Sequence, residues 1–386
     1  MKKRLMKLIG ASIVIGPIAV AFQLMTVDVG GQTQDATAWG HPNLEGIWLD
    51  VYDTPFQRAP ELADREFSTA EERAERDQAR MSSTGRNRRV TRGSQQDVAG
   101  AYNAVYTSAK PAGPRTSLVV DPPNGRIPEQ TKEAQRQGVE QREWRLMLLR
   151  NTETCQYEAR ACAGGDYGEP SPDRYDVAPF YNTNRMNRHD GPEDQSMGDR
   201  CMSGTTPEFR GFRRIVQGED SIALAYDTGQ GQGYQRVVNL SGNHPPSQIR
   251  LRHGDSRGHW EGDTLVIETT NFSPKFTFSP VRGGAESGGN RTLIERYRRV
   301  DEDTLEYELT VSDPTVWTAD WSVRQELKRQ SDEQNRIYYE PRCHEGNYGL
   351  PALLIGARIE EQEFMSGRGP DPFSLDTATD FGGGVQ

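Results

Sequence analysis

The sequence predicts a mainly β protein, an antiparallel up-and-down barrel or sandwich. In its second half, short runs of residues alternate between apolar and polar side chains. The clearest is Thr304–Val311, where Leu305, Tyr307, Leu309 and Val311 alternate with polar residues. The runs are rich in β-branched and aromatic residues, and short acidic or glycine-containing turns separate them. Even spacing of about eight to ten such runs is typical of a barrel or sandwich.

The predicted strands follow one another after a long gap that comes behind the first. They are Leu44–Val51, Phe212–Gln217, Ser221–Asp227, Tyr234–Leu240, Gln248–Arg252, Thr264–Thr270, Thr292–Val300, Thr304–Val311, Trp321–Lys328 and Asn335–Glu340. In the stretch His253–Phe272, the Gly and Asp residues of Asp255–Gly258 and Glu261–Asp263 predict turns. The strand Thr264–Thr270 follows those turns.

Residues 55–211 predict a helical and loop insertion after the first strand. Ser68 or Thr69 with Glu71 or Glu72 forms a capping-box pattern before a charged helix over Ala70–Met81. A second helix is predicted over Thr131–Arg150, with its buried face at Val139, Trp144, Met147 and Leu148. Thr116–Asp121 predicts a short strand, and residues 151–211 a long loop rich in Gly, Pro, Asn and Asp. We expect the insertion to pack across one end of the barrel.

The first 21 residues have the features of an export signal. Lys2, Lys3, Arg4 and Lys7 precede the apolar run Leu8–Val20. Residues 19–21 read Ala-Val-Ala, which fits the rule for cleavage between small residues. A linker over 22–39, one domain over 40–365 and a disordered tail over 366–386 are predicted to follow. An uncleaved signal anchor is the alternative, although the apolar run is short and broken by Gly-Pro. Both readings place the folded part outside the cytoplasm. If the signal is removed, we expect a periplasmic or secreted protein without stable membrane insertion.

The charge of the chain argues against nucleic acid as a partner. The 46 basic and 56 acidic residues give a formal net charge of −10. Cleavage of the signal would increase the acidic excess, because that segment holds four basic residues and no acidic one. Mean hydropathy of −0.81, with 39 Gly and 23 Pro, indicates a modest core wrapped in polar loops.

The chain has four cysteines, and in an exported protein an even number predicts disulfides. They are Cys155, Cys162, Cys201 and Cys343. Three pairings are possible. Closeness in sequence favours Cys155 with Cys162, which would leave Cys201 with Cys343. Their spacing fits no zinc site.

Several phrases in the sequence resemble a family of exported bacterial proteins with lipocalin-like barrel character. They are Gly40–Trp48, Thr54–Arg58, Arg115–Pro128, Gly191–Asp194, Asp199–Cys201, Ile215–Gln217, Gly254–Thr264 and Cys343–Tyr348. The first contains the Gly-x-Trp that begins lipocalin-type barrels, where Gly permits a tight bend and Trp plugs the barrel floor. The resemblance implies a lipocalin-like barrel and export, and it assigns no activity.

Two polar motifs are candidate sites. In Asp255–Thr264, Arg257, His259 and Glu261 would face a ligand from a rim loop; alternatively, the motif is a structural hairpin in which Trp260 covers the barrel end. In Cys343–Tyr348, His344 is a candidate general base with Glu345 setting its tautomer, and His259 is a further candidate catalytic residue. The alternative is a polar plug that satisfies backbone groups at the barrel end.

Aromatic residues in or beside the predicted strands are candidates to line a ligand cavity, and ordinary barrel core is the alternative. The candidate ligand-binding residues are Trp48, Arg257, Trp260, Asn271, Tyr307, Trp317, Trp321 and Tyr348. His253, Asp255 and His259 match no standard metal-ligand spacing, so we expect no metal. No nucleophile elbow, phosphate loop or dinucleotide fingerprint occurs, and no cofactor is predicted. Arg296, Arg298 and Arg299 are expected to pair with Glu306 and Glu308 across a hairpin.

These observations favour an extracytoplasmic binding or carrier protein for a small apolar molecule that is lipid-like, sterol-like or aromatic. An isomerase, lyase or hydrolase that uses His344 and Glu345 on the same barrel is the second hypothesis. A structural module of the cell envelope is the third. The sequence identifies neither a ligand nor an oligomeric state.

Overall fold

The computed structural model describes residues 36–62, 65–82, 110–149, 200–202, 206–209, 212–229, 232–274, 276–280, 286–331, 333 and 347–369. The strands are β1 Gly46–Asp50, β2 Val119–Asp121, β3 Phe212–Gln217, β4 Ser221–Gly229, β5 Gln232–Asn239, β6 Asp255–Glu261, β7 Thr264–Thr270, β8 Thr292–Arg299, β9 Thr304–Ser312 and β10 Trp321–Arg329. The helices are α1 Ala70–Ser82, α2 Lys132–Leu149 and α3 Gly349–Met365, and Pro60–Leu62 forms a short 3-10 helix.

Nine strands form a closed barrel. Strands β3 to β10 pair in chain order, and β1 closes the barrel by pairing with both β3 and β10. The pairs are antiparallel except β5 with β6, which run parallel over Val238–Asn239 and Ser256–Arg257. Strand β2, from the insertion, adds to β10. The prediction of a mainly β antiparallel barrel of about eight to ten strands with an insertion after its first strand is confirmed.

The start of the barrel shows why the chain has a Gly-x-Trp there. Gly46 has φ +141°, a conformation that side chains rarely adopt, and it begins β1. Trp48 lies completely buried in the core, and its Nε1 donates to the carbonyl oxygen of Leu44 at 2.9 Å. The indole therefore closes a short loop of its own chain as well as filling the core.

The turn predicted over Asp255–Gly258 is wrong, because Asp255–Glu261 is strand β6. The alternation was hard to recognise because the inward positions carry Ser256 and Gly258. A Cβ at Gly258 would lie 2.8 Å from Cγ1 of Val238 and 3.0 Å from Cδ2 of Leu240. Glycine is used here because β5 packs against the backbone of β6, and not because the chain turns.

The structure differs from the sequence prediction at one strand and one helix. Gln248–Arg252 is not a strand, since Pro245 and Pro246 precede it and Leu251 forms a single bridge with Phe272. Helix α3 was not predicted. The predicted strand Asn335–Glu340 lies outside the described residues, as do the export signal, the start of the linker and the tail beyond 369.

The insertion is anchored to the barrel at the connection between β9 and β10. Thr69 and Glu72 form the predicted capping box of α1, each accepting a hydrogen bond from the other's backbone N–H. At the start of α2, the N–H of Thr131 donates to the carbonyl oxygen of Val316 at 2.9 Å. Val139, predicted to be buried, is exposed. No helix in the described ranges is both long and apolar enough to span a membrane.

Candidate functional site

A layer of polar side chains crosses the inside of the barrel, and we call it the polar layer. Seven strands, β3 to β9, contribute to it, and each member is at least nine-tenths buried. The members are Arg213, Tyr226, Arg236, Ser256, Thr269, Glu295, Tyr297 and Tyr307. Successive side chains of a strand point to opposite faces, so each member shares one face of its strand with every second residue. That face is the buried one, where apolar residues of the barrel core also lie.

An ion pair between Arg236 and Glu295 forms the centre of the polar layer. Nη2 of Arg236 donates to both carboxylate oxygens of Glu295, at 2.7 and 2.6 Å, and to the hydroxyl of Tyr226 at 3.0 Å. Its Nη1 donates to the hydroxyls of Ser256 and Thr269. Burial lowers the pKa of Arg236, but the negative charge of Glu295 together with the surrounding tyrosines raises it well above its ordinary value. The guanidinium therefore stays charged.

Tyrosine hydroxyls complete the coordination of Glu295. Tyr307 donates to Oε1 of Glu295 at 3.0 Å, and Tyr297 donates to the same oxygen at 3.4 Å. Burial raises the pKa of both phenols well above its ordinary value, so they are neutral donors at physiological pH. The carboxylate is held by an arginine and two hydroxyls with no solvent between them.

Arg213 is a second buried arginine whose polar partners in the described chain are neutral. Nη1 donates to the hydroxyl of Tyr297 at 3.3 Å, and Nη2 donates to the carbonyl oxygen of Glu208 at 3.1 Å. The guanidinium carbon lies 4.4 Å from the centre of the Tyr307 ring. Burial lowers the pKa of Arg213, but the surrounding tyrosine oxygens raise it above its ordinary value.

A stack of three rings lies next to the polar layer. Tyr234 lies between Tyr226 and His253, with centroid distances of 4.7 and 4.2 Å and nearly parallel planes. Nδ1 of His253 lies 3.1 Å from the hydroxyl oxygen of Thr206. Burial, with the positive charges of Arg252, Arg236 and Arg291, lowers the pKa of His253 to about 3. The imidazole is neutral at physiological pH.

Aromatic side chains adjoin the polar layer on the side of Arg213. We call them the aromatic cluster: Phe56, Phe209, Phe278, Trp317 and Trp321, with neighbouring ring centroids 5.4–6.5 Å apart. Phe209 follows Glu208, the residue that accepts from Arg213. Its own carbonyl oxygen accepts from Nε2 of Gln325. Within the described chain, Nε1 of Trp321 is buried without a hydrogen-bond partner.

The barrel wall has a gap at the seam between β1 and β10. The two strands pair only from Trp48 to Asp50, and further along β10 the neighbour is β2. Between these contacts lies a small pocket that is partly open to solvent, and Asp50 and Gln325 are among the residues that line it. Both residues are largely buried and belong to the inner face. The pocket is therefore lined by residues of both faces of β10, because Arg324 and Glu326 also line it.

Asp50 connects this pocket electrostatically with the polar layer. Lys110 contacts its carboxylate at 2.5 Å. Burial raises the pKa of Asp50, although the charges of Lys110 and Arg213 oppose that shift. Asp50 is therefore close enough to Arg213 to be influenced by its charge, without forming a salt bridge with it in the described structure.

The aromatic residues predicted to line a cavity lie in the buried core. Trp48 contacts Leu44 through its indole nitrogen, and Trp317 and Trp321 belong to the aromatic cluster. Tyr307 points into the barrel, but its hydroxyl belongs to a polar network and not to an apolar lumen. The described interior is thus more polar than the sequence suggested.

The residues of the predicted rim motif do not converge on one point. Arg257 binds Asp255 through Nε and Nη2 and donates to the carbonyl oxygen of Ser241. His259 is exposed and contacts Glu261 at 3.0 Å. Trp260 stacks on His41, with ring centroids 5.0 Å apart. These contacts fit the structural alternative that we considered for this motif.

Asn271 has a structural role in its loop. Its φ is +57°, and Nδ2 donates to the carbonyl oxygens of Pro245, Pro246 and Ile249. Asn tolerates this left-handed conformation better than most residues, which accounts for its presence here. Its side chain holds the connection that precedes β6.

Much of the second predicted motif lies outside the described residues, including His344, Glu345 and Cys343, and so do Cys155 and Cys162. Tyr348 is 81% exposed. Nδ2 of Asn347 lies 3.1 Å from Sγ of Cys201. Because Asn347 follows Cys343 by four residues, this contact agrees with the predicted pairing of Cys201 with Cys343, which stays a prediction.

Sequence reasoning missed the three charged members of the polar layer, although a signal for one was present. Glu295 lies between Leu293 and Tyr297 on the apolar side of an alternating strand, where a charge is unusual. Arg236 shares its strand face with Val238, but Val237 on the opposite face obscures the alternation. No signal joins Arg236 to Glu295, which lies 59 positions later.

Comparisons with known proteins add little to this description. No family model matches the chain, and no curated protein matches it. A crystal structure of a mutant of the fluorescent protein UnaG is similar over 31% of this chain and 72% of that one, with 12% identity and a TM-score of 0.20. A similarity this weak supports no inference about the site.

The described residues contain no group of three His, Cys, Asp or Glu side chains placed to hold a metal ion.

Proposed function

We propose that the protein is an extracytoplasmic binding protein for a small molecule with an apolar body and a polar end, and that the polar layer contacts the polar end. One observation carries the proposal. A barrel of nine strands, which could be filled by apolar side chains, instead encloses an ion pair and a network of hydroxyls.

Stability does not explain why this network is present. Removing two charges from water costs several kcal/mol for each ion, and their mutual attraction offsets this only in part, so apolar replacements of similar volume are often neutral or stabilising. Ligand sites, in contrast, combine mostly apolar walls with a few well-placed polar groups. The polar layer beside the aromatic cluster has this composition.

The seam pocket and the aromatic cluster suggest how a ligand would be accommodated. The pocket reaches two inner-face residues, Asp50 and Gln325. Gln325 also contacts Phe209, which belongs to the aromatic cluster. An elongated or flat ligand could therefore enter at the seam, place its apolar body against the aromatic rings and direct its polar end at the polar layer.

The extracytoplasmic part of the proposal rests on the N-terminal sequence. Basic residues, the apolar run Leu8–Val20 and the small residues Ala19 and Ala21 match an export signal. Expression of the full chain in a Gram-negative host, followed by fractionation and mass spectrometry, tests it. We expect periplasmic protein that begins at Phe22, and full-length protein retained in the cytoplasm would contradict the assignment.

Binding is tested on the exported protein with 1-anilinonaphthalene-8-sulfonate, a probe that fluoresces in apolar sites. We expect saturable binding of one probe per chain, and competition by naphthalene-2-carboxylate or decanoate. Glu308→Gln, on the outer face of β9, is the control and should bind as the wild type does. A wild-type protein that shows no saturable binding with any of these compounds would overturn the proposal.

A further inference from the structure

We infer that Arg213 is the anion-binding residue of this site and that the ligand carries a single carboxylate or similar monoanionic group. The inference rests on the proposed function and specifies its ligand class. Arg213 is 2% exposed, and its described polar partners are the Tyr297 hydroxyl and the Glu208 carbonyl oxygen. Both are neutral acceptors, so the guanidinium has no counterion in direct contact among the described residues.

The two arginines of the polar layer differ in their partners. Arg236 is paired with Glu295 at 2.6 Å, and Lys110 is paired with Asp50 at 2.5 Å. Arg213 differs from both, because no carboxylate is in direct contact with it in the described structure. A buried charge without a partner is unfavourable, and an anionic ligand would remove that penalty.

The geometry of Arg213 suits a carboxylate. A guanidinium presents parallel N–H groups that match the two oxygens of a carboxylate, and such charge-assisted bonds are stronger than those to neutral acceptors. The present bonds, to the Tyr297 hydroxyl at 3.3 Å and the Glu208 carbonyl oxygen at 3.1 Å, go to neutral acceptors, and a carboxylate would give the buried charge a counterion. A single guanidinium pairs with a single carboxylate, so we infer a monoanionic ligand.

The surroundings also indicate the rest of the ligand. The Tyr307 ring covers one side of the guanidinium, and Phe209 of the aromatic cluster lies one residue beyond Glu208. A flat aromatic or short aliphatic body attached to the carboxylate would therefore contact ring faces. Small aromatic and aliphatic monocarboxylates are the chemical class that fits.

The test compares two probes of nearly the same shape, the anion naphthalene-2-carboxylate and the neutral naphthalene-2-carboxamide. Their affinities are measured by titration calorimetry at pH 7. We expect the wild type to bind the carboxylate at least about tenfold more tightly than the amide. Arg213→Gln should lose that preference while still binding the amide, and Arg213→Lys should keep part of it. Arg214→Gln changes the neighbouring exposed arginine on the outer face and should keep the full preference.

The outcomes separate this inference from the proposed function. Equal affinity of the wild type for both probes would overturn the inference and leave small-molecule binding intact. A preference that survives in Arg213→Gln would also overturn it, because another group would then hold the anion. Failure of the wild type to bind either probe or the anilinonaphthalene dye would overturn both. The wild-type comparison requires no variant to fold.

Discussion

The inner and outer faces of the barrel carry ion pairs of the same chemistry and similar geometry in different surroundings. On the inner face, Arg236 and Glu295 lie 2.6 Å apart with side chains 4% and 1% exposed. On the outer face, Arg324 and Glu308 also lie 2.6 Å apart, but their side chains are 40% and 25% exposed. Distance therefore does not distinguish the two pairs, and burial does.

The difference shows what each pair contributes. Water solvates the outer pair whether or not it forms, so the pair adds little to stability. The inner pair has no such alternative, so each member depends on the other and on the tyrosine hydroxyls. Removing one member should therefore cost more stability in the inner pair than in the outer pair, although the two pairs have the same distance.

The largest expected effect is the loss of the inner carboxylate. Glu295→Ala would leave Arg236 buried without a counterion, and we expect a loss of about 3–5 kcal/mol in the free energy of unfolding. Urea denaturation followed by tryptophan fluorescence measures it. A loss below about 1 kcal/mol, the range of surface pairs, would show that burial does not make the inner pair more important than an outer one.

The second comparison concerns two histidines, one partly buried and one exposed. The fold holds His253 neutral with a pKa of about 3, whereas the unfolded chain takes up a proton near pH 6.5. Stability is therefore complete above pH 6.5 and falls by up to about 1.4 kcal/mol per pH unit as the pH drops toward 3. His253→Phe keeps the stack on Tyr234 and should flatten this dependence.

The control for the pH measurement is His259→Gln, since His259 is exposed and contacts Glu261. Its denaturation midpoints between pH 7 and pH 4 should follow those of the wild type. If His253→Phe showed the same slope as both of them, carboxylates elsewhere would account for the acid sensitivity, and the assignment to His253 would be wrong.

A smaller effect is expected where β5 packs on β6. Gly258→Ala would place a methyl group 2.8 Å from Val238 Cγ1, and overpacking of this kind costs about 1–3 kcal/mol. Gly356→Ala in α3 is the matched control, because a Cβ there meets no atom within 4 Å, and it should be neutral or stabilising. Thermal unfolding of both variants checks this, and equal midpoints would contradict the close approach.

The smallest effect is expected on the outer face. Glu308→Ala removes the exposed partner of Arg324 and should change the free energy of unfolding by less than about 1 kcal/mol. That small difference should shrink further in 1 M NaCl, because salt screens exposed charges. A loss as large as that of Glu295→Ala would remove the distinction between the two faces.

Most of the fold could be predicted because alternation reports directly on which side of a strand is buried. β3 and β7 match their predicted ranges, and β9 differs by one residue at its end. The method failed at β6, where the inward side chains are Ser256 and Gly258. Small residues there reflect packing against β5, and that contact is not visible in the local sequence.

The candidate site was less predictable, because its members come from seven strands. Alternation placed Tyr307 on the apolar face of its strand. It did not show that the Tyr307 hydroxyl donates to Glu295, or that Glu295 pairs with Arg236. The outer face shows the same limit. Arg298 pairs with Glu306 as expected, whereas Glu308 pairs with Arg324 from the following strand. Alternation assigns a side chain to a face, and the barrel closure then determines its partners.

The double variant Arg236→Met/Glu295→Leu tests most directly whether the polar layer exists for ligand binding. Its free energy of unfolding and its affinity for naphthalene-2-carboxylate should be measured together, beside Glu295→Ala. We predict that the double variant is more stable than the single one, because no buried charge is left unpaired, and that its affinity falls at least about tenfold. A double variant that is no more stable than Glu295→Ala and binds the carboxylate as the wild type does would contradict the account.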